Sequence, residues 1–348
     1  MTTGNPTLMQ LPLPPASRTG WPWTEGAEPV SKDSAWPKIS IITPSYNQAL
    51  FIEETIRSVL LQGYPNLEYI VIDGGSRDGS VDIIRKYAQR LTYWVSEPDR
   101  GQSHAITKGF ARASGEIVAW LNSDDIYLAG ALAQVGRAFM DHSNAGLIFG
   151  RCRIIDEHSR RIGDVAAVAE FDLAAHLRDN QVPQPAAFAR REVLKKVGLL
   201  RTDLNFTMDF ELWIRIALDF PVVVLSEFWA AFRIHSKQKT FVGSRQWTNE
   251  VIQIYEALAH NPRLASPALS TSIREALASR LYERCFFSLE EGRKLPWLQD
   301  YLKSIRCNSS QVLALRKHAR LFKLLCSTVA GRRRSSKPSL LDTSRAPR

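Results

Sequence analysis

The chain has 348 residues, 45% of them hydrophobic and 23% charged, enough for one large α/β domain plus a smaller extension. Its net charge of +10 points to an anionic partner without separating nucleic acid, anionic lipid and nucleotide. No apolar run reaches the roughly 20 residues that span a bilayer, the Pro-rich N-terminus lacks the apolar core of a secretory signal, and the four cysteines show neither metal-ligand spacing nor a dense disulfide pattern. The expected compartment is the cytoplasm, with reduced, packed cysteines.

Residues 1–36 are rich in Pro, Gly, Ser and Thr, with Trp21 and Trp23 as the large anchors, and are expected to form a mostly disordered arm, part of it lying along the folded body. From Pro37 the chain alternates. Ile39 to Ile42 reads as a buried strand ending at Thr43-Pro44. A helix follows with Ile52, Ile56, Val59 and Leu60 on one face, stopped by Gly63 and Pro65. Leu67 to Asp73 reads as a second strand, a helix carries Val81, Ile84 and Tyr87, and Leu91 to Val95 reads as a third strand. Another helix begins near Ser103, and a fourth strand opens at Ile117. Strands and helices alternating at this length argue for a mostly parallel sheet with right-handed crossovers. After Gly146 short strands (Leu147 to Ile155, Ala186 to Ala189, Val222 to Leu225, Trp229 to Ile234) alternate with helices. The expected division is a domain over 37–245, a helical extension over 246–330 and a basic tail over 331–348 that contains Arg332-Arg333-Arg334.

The fourth strand, Ile117 to Leu121, runs straight into Asn122-Ser123-Asp124-Asp125. Adjacent carboxylates at the end of a buried strand are costly unless something positive binds there, and in an open α/β sheet that end is where ligands sit. A divalent cation holding a diphosphate would satisfy them. Two other strand ends are also equipped with ligand-capable residues: Pro44 stiffens a turn that presents Tyr46 for stacking on a base, and Asp73 is placed to accept hydrogen bonds. Alone each is an ordinary polar turn; three in one βαβ series form a nucleotide-sized crevice. There is neither a Gly-x-Gly-x-x-Gly nor a Walker-type loop, so the phosphates need another counter-charge: a metal on Asp124, with Arg100 or Lys108 nearby.

These segments together, Thr43 to Asn47, Ile72 to Ser80, Ser96 to Gly101 and Leu121 to Asp125, resemble the successive motifs of family 2 glycosyltransferases over roughly residues 37–240. The resemblance implies a GT-A fold, in which a Rossmann-like nucleotide-sugar half is joined to a mixed-sheet acceptor half. It implies that Tyr46 and Asp73 hold the uracil of a nucleotide-sugar donor, with Pro44, Arg100, Lys108, Asn122 and Ser123 also on the donor side. It places a divalent cation, Mn²⁺ or Mg²⁺, on Asp124, with Asp125 and His235 in support. Asn122 stands where the family has the first Asp of its Asp-x-Asp motif, a departure that removes one charge. Thr207 to Trp213 resembles the acidic motif of the acceptor-side helix, which makes Asp209 the catalytic base and puts Glu211, Trp213 and Gln184 on the acceptor side. Phe232 to Thr240 resembles a segment that closes over the donor, with Lys239 able to neutralise phosphate charge. The implied activity is inverting transfer to a glycan or lipid-linked acceptor in cell-envelope polysaccharide synthesis.

Blander readings compete with several of these. Asp124 and Asp125 stand where they would cap a helix from Ile126 onward, a role that suits Asp125. Asp209 can both cap a helix and act as a base. A lone histidine such as His235 is as often a structural hydrogen-bonder as a ligand, His104 reads as a plain helix residue, and Trp120 and Trp213 read as core. Near the C-terminus Leu321, Leu324, Leu325 and Val329 form an apolar face beside Arg316, Lys317, Arg320 and Lys323. Such a helix either lies on an anionic membrane at the inner face of the plasma membrane or packs on the catalytic domain. The rival functions are a catalytically silent nucleotide-sugar binding protein, kept open by Asn122, and a sugar nucleotidyltransferase, disfavoured by the missing phosphate loop. A nucleic-acid partner is not expected, because the positive residues form no reader motif.

Overall fold

The computed structural model describes residues 8–31, 35–236, 238–239, 244–291 and 294–308. The chain divides into two units, one of Met1–His176 and Asn180–Phe241, the other of Leu177–Asp179 and Val242–Arg348.

The first unit is built on one nine-stranded mixed sheet. Strands β1 (Ile39–Ser45), β2 (Leu67–Asp73), β3 (Tyr93–Ser96) and β4 (Ile117–Trp120) are parallel, in the order β3-β2-β1-β4. Helices α1 (Ile52–Leu60), α2 (Ser80–Lys86) and α3 (Gln102–Arg112) make the crossovers. The strands are continuous apolar runs because both faces are covered: Ile39, Ile41 and Ile42 are fully buried, as are Ile52, Ile56 and Val59 of α1. Beyond β4 the sheet turns mixed. A two-residue strand β5 (Ile126–Tyr127) precedes α4 (Ala131–Asp141), and β6 (Leu147–Ile155) is paired with a short edge strand β7 (Arg161–Asp164). After the single turn α5 (Leu173–His176) come β8 (Ala187–Arg190), α6 (Arg191–Val197), α7 (Met208–Asp219) and β9 (Val222–Arg233). β8 runs antiparallel between β4 and β6, and β9 lies parallel to β6.

Three sequence expectations change here. Helix capping by Asp124 and Asp125 does not occur, since Ile126–Tyr127 pairs with Ala230–Ala231 as β5. The two strands expected over Val222 to Ile234 are one; exposed Ser226 and Glu227 break its apolar pattern, and the register against β6 shifts there. The third strand starts at Tyr93, after a 3-10 turn at Ala88–Arg90, rather than at Leu91. In the N-terminal arm Leu11, Trp23 and Ala27 are buried, whereas Met9 and Leu13 are exposed. The Arg57 guanidinium donates to the carbonyls of Pro12, Pro22 and Trp23 at 2.6–3.0 Å, which satisfies a buried cation with otherwise unpaired backbone oxygens.

The second unit is helical, with helices Ser244–Leu258, Pro267–Glu290 and Lys294–Cys307. Arg284 and Asp300 form a forked ion pair at 2.6 and 2.8 Å, and Cys285 is buried beside them. No helix among the described residues is long and apolar enough to cross a membrane. The basic amphipathic segment at 316–329, Cys326 and the 331–348 tail lie outside the described residues.

Candidate functional site

Parallel pairing brings the polar strand ends to one edge: Ser45 is level with Asp73, Asp73 with Ser96, and Ile42 with Trp120, one residue before Leu121-Asn122. Tyr46 follows β1 and is 63% exposed, whereas Pro44 is buried inside β1 and acts only by fixing where Tyr46 emerges. Asp73 is the last residue of β2. It is fully buried, its Oδ2 accepting from Gly75 N–H, Ser76 N–H and the Ser96 hydroxyl at 2.7–3.0 Å, and its Oδ1 from the Ser76 hydroxyl at 2.5 Å. A buried carboxylate needs such donors, and these tie Asp73 to the following loop and to the end of β3. Asp99 also approaches Tyr46, across Gly74. A Cβ on Gly74 would meet Asp99 Oδ2 at 2.7 Å and Tyr46 Cδ2 at 3.3 Å, so an aromatic face and a carboxylate flank a position that only glycine leaves open.

At the end of β4 the three polar residues diverge. Asp125 is buried, its Oδ1 accepting from Arg233 N–H at 2.9 Å and its Oδ2 from the Asn122 amide at 3.3 Å. Burial and then the neighbouring Asp124 charge push its carboxyl well above the usual range, with Arg233 opposing. Both of its oxygens are engaged by neighbouring groups. Ser123 is also buried. Asp124 keeps a partly exposed carboxylate, and its Oδ2 lies 3.1 Å from His235 Nε2. The His235 ring is set against Phe51, centroids 4.7 Å apart.

Arg233 organises this corner. It is fully buried; its Nε donates to the Asp124 carbonyl at 2.7 Å, its Nη2 to Glu54 at 3.1 Å, and its Nη1 to the Asp156 carbonyl and Ser159 hydroxyl at 3.1 and 2.9 Å. The sequence reading gave neither Arg233 nor Glu54 a role. The one signal was an arginine and a glutamate at otherwise apolar positions of a strand and a helix.

A second relay ties the strand end to α7. Asn122 accepts from Gln102 at 2.7 Å and donates to Gln184 at 3.1 Å, and Gln184 in turn donates to the Trp120 carbonyl at 2.8 Å. Gln102 accepts from Lys239 at 3.0 Å, and Lys239 also donates to the Asn205 carbonyl. Ser103 bonds the Leu204 carbonyl. A Cβ on Gly101 would lie 2.7 Å from Asn205 Oδ1, and Gly101 has φ +107°, so glycine lets the two segments touch. Asp209 follows in the first turn of α7, half-buried, where the helix dipole favours negative charge.

Other expected positions are engaged elsewhere. Lys108 pairs with Glu97 at 2.7 Å. Arg100 is exposed, its N–H donating to His104 Nδ1 at 3.2 Å. Glu211 is held by Arg215 at 2.8 Å, which also bonds the carbonyls of Val197, Gly198 and Leu199. Trp213 is core, 1% exposed and stacked on Trp120 with centroids 5.4 Å apart. Gln184 acts through Asn122. Lys237 and Thr240 lie outside the described residues.

No group of three or more His, Cys, Asp or Glu side chains among the described residues forms a metal cage. The converging pair Asp124–His235 fits a different kind of ion, one that keeps most of its shell for water and substrate phosphates and needs only one or two protein ligands.

Residues 40–198 match the model of glycosyl transferase family 2. An uncharacterized glycosyltransferase of Mycobacterium tuberculosis is 32% identical over 187 residues, covering 52% of this chain and 70% of its own. The Bacillus subtilis protein TuaG, named for a proposed part in teichuronic acid biosynthesis as a glycosyltransferase, is 38% identical over 112 residues, 31% of this chain and 44% of its own. Among solved structures, residues 1-349 of Staphylococcus aureus TarS in complex with UDP-GlcNAc superpose with a TM-score of 0.56 at 19% identity, covering 77% of this chain and 79% of that TarS chain. The Pyrobaculum calidifontis mannosyltransferase PcManGT, with GDP-Man and Mn²⁺, gives 0.54 at 19% identity, covering 88% and 84%.

Proposed function

Since this chain belongs to glycosyl transferase family 2 and has the α/β fold of GT-A glycosyltransferases, we propose that it moves a sugar from a UDP-linked donor to a hydroxyl of a glycan or lipid-linked acceptor of the cell envelope, with inversion. The observation that carries this reading is the relay Gln184–Asn122–Gln102–Lys239–Asn205. It joins the strand end bearing Asp124 to the segment that leads into Asp209, which holds the donor-side and acceptor-side segments together.

Tyr46 stacks on the base and Asp99 accepts a hydrogen bond from it. Asn122 bonds a ribose hydroxyl. Asp124 and His235 hold a divalent ion, which when bound supplies charge to stabilise the departing diphosphate. Asp209 takes the proton of the acceptor hydroxyl as its oxygen attacks the anomeric carbon. One displacement turns an α-linked donor into a β-linked product, with no covalent sugar–enzyme intermediate. TuaG's name supports the envelope acceptor, and the Mn²⁺ and UDP-GlcNAc complexes of the structural neighbours support the ion and the donor class.

The silent-binder alternative rested on Asn122. The amide supports the active reading equally well, because it donates to Asp125 and Gln184 where a carboxylate has nothing to donate. The test is UDP and GDP release from a panel of nucleotide sugars with Mn²⁺, Mg²⁺ or EDTA, in the wild type and Asp209→Asn. Turnover lost with EDTA, and reduced about 10²–10⁴-fold by Asp209→Asn with UDP binding intact, is expected. Donor binding without turnover in the presence of lipid-linked acceptors would restore the silent reading.

A further inference from the structure

Two arginines on β6 are used by nothing in the donor site. Arg151 and Arg153 have buried Nε–H groups without a hydrogen-bond partner. Phe228 backs both guanidinium groups, its ring centroid 4.1 Å from that of Arg151 and 5.4 Å from that of Arg153. A ring face holds a cation in place but leaves its charge and its outward N–H groups available. Their nearby carboxylate is Asp164 on β7, the register partner of Arg153. Asp164 is already claimed by Arg161 at 2.6 and 3.0 Å and lies 3.9 Å from Arg151. Three guanidinium groups thus share one carboxylate. Arg161's hydrogen bonds, then the charges of Arg161, Arg151 and Arg153, hold the Asp164 carboxyl below its usual range.

Their height in the sheet places them beside the transfer site. Val118 of β4 is level with Ala189 of β8, and Ala189 with Leu147 of β6. From that level β4 stops at Trp120 and turns into Asn122–Asp125, while β6 runs on through Arg151 and Arg153 to Ile155. Arg153 pairs with Ala231, two residues before the Arg233 that holds Asp124 and Asp125. Two strand residues span about 7 Å, comparable to one sugar ring.

We propose that Arg151 and Arg153 bind an oxyanion, a phosphate or a carboxylate, carried by the acceptor, so that this transferase selects an anionic glycan. As acceptor selection the inference rests on the transferase reading above; as anion binding it stands apart from it. Two guanidinium forks backed by one ring suit the several oxygens of either group.

The test is calorimetric titration of the full chain with glycerol 3-phosphate, with glucuronate and with uncharged glucose, alongside UDP titration. Saturable binding of one or both anions and none of glucose is expected, the tighter of the two identifying the group. Arg151→Gln/Arg153→Gln is expected to weaken the anion at least tenfold and Asp164→Asn to tighten it about threefold, with UDP affinity unchanged. Arg151→Lys/Arg153→Lys, which keeps charge and ring contact, is expected to retain part of the affinity and decides the matter if the glutamine variant does not fold. Absence of saturable anion binding in the wild type, or equal binding in the substituted chains, would overturn the proposal. Anion binding intact in a chain that turns over no donor would instead strike the transferase reading.

Discussion

Arg233→Met isolates the corner that holds Asp124. The side chain is fully buried and its partner Glu54 is 4% exposed, so neither charge has water to return to. Removing one member of a buried, hydrogen-bonded pair costs about 3–5 kcal/mol, because the other charge is left uncompensated. The bonds to the Asp124 and Asp156 carbonyls and the Ser159 hydroxyl go with it, whereas the backbone N–H that Asp125 accepts from remains. For a unit of this size each kcal/mol moves Tm by roughly 2–4 °C, so the drop is about 6–20 °C. Glu54→Gln in the Arg233→Met background removes the stranded charge and is expected to return about 1–2 kcal/mol. Thermal melts followed by circular dichroism measure both, and UDP titration at a temperature where the variant is folded measures the site, which is expected to bind donor nucleotide more weakly. A drop under 2 °C, or a double variant as unstable as the sum of the singles, would refute the argument that this pair is the internal brace.

Three further outcomes are expected. The Glu68 carboxyl is opposed by burial, yet hydrogen bonds from Lys38, Ser114 and Ser40 lower it from 4.5 to about 2. A depressed folded value gives stability present above about pH 4.5 and lost as pH falls toward 2, about 3 kcal/mol in all; urea midpoints of Glu68→Gln from pH 2 to 7 should trail the wild type at neutrality and converge on it in acid, and a pH-independent gap would dismiss it. Asn122→Asp sets a third carboxylate beside Asp124 and Asp125, already raised by burial, so the variant should lose more Tm at pH 8 than at pH 5; equal losses would contradict the crowding. Gly101→Ala must relieve a 2.7 Å contact with Asn205 at φ +107°, at a cost of about 1–3 kcal/mol, and should lower kcat more than UDP affinity; unchanged stability and turnover would mean that the α3–α7 approach is loose.

The amino-acid sequence by itself carried the alternating first half of the sheet, since buried parallel strands must be continuous apolar runs and their crossover helices must show one apolar face. It carried Tyr46, Asn122, Asp124, Asp209 and Lys239 as positions of interest, because aromatic, carboxylate and cationic groups at strand and helix ends are local in sequence. Partnership is not local. Asp73 and Asp99 look alike as acids at or just after strand ends, and only tertiary packing shows Gly74 lying between Tyr46 and Asp99 while two loop N–H groups and two serine hydroxyls close on Asp73. Trp213 and Glu211 share a helix with Asp209, but helical rotation turns them to Trp120 and Arg215. Arg233 reaches Glu54 across 179 residues, and Arg153 meets Asp164 through a hairpin that has no apolar signature. Charge shows in the sequence; which charges stay uncompensated was decided by the tertiary fold, because burial and a third residue's prior claim set the answer.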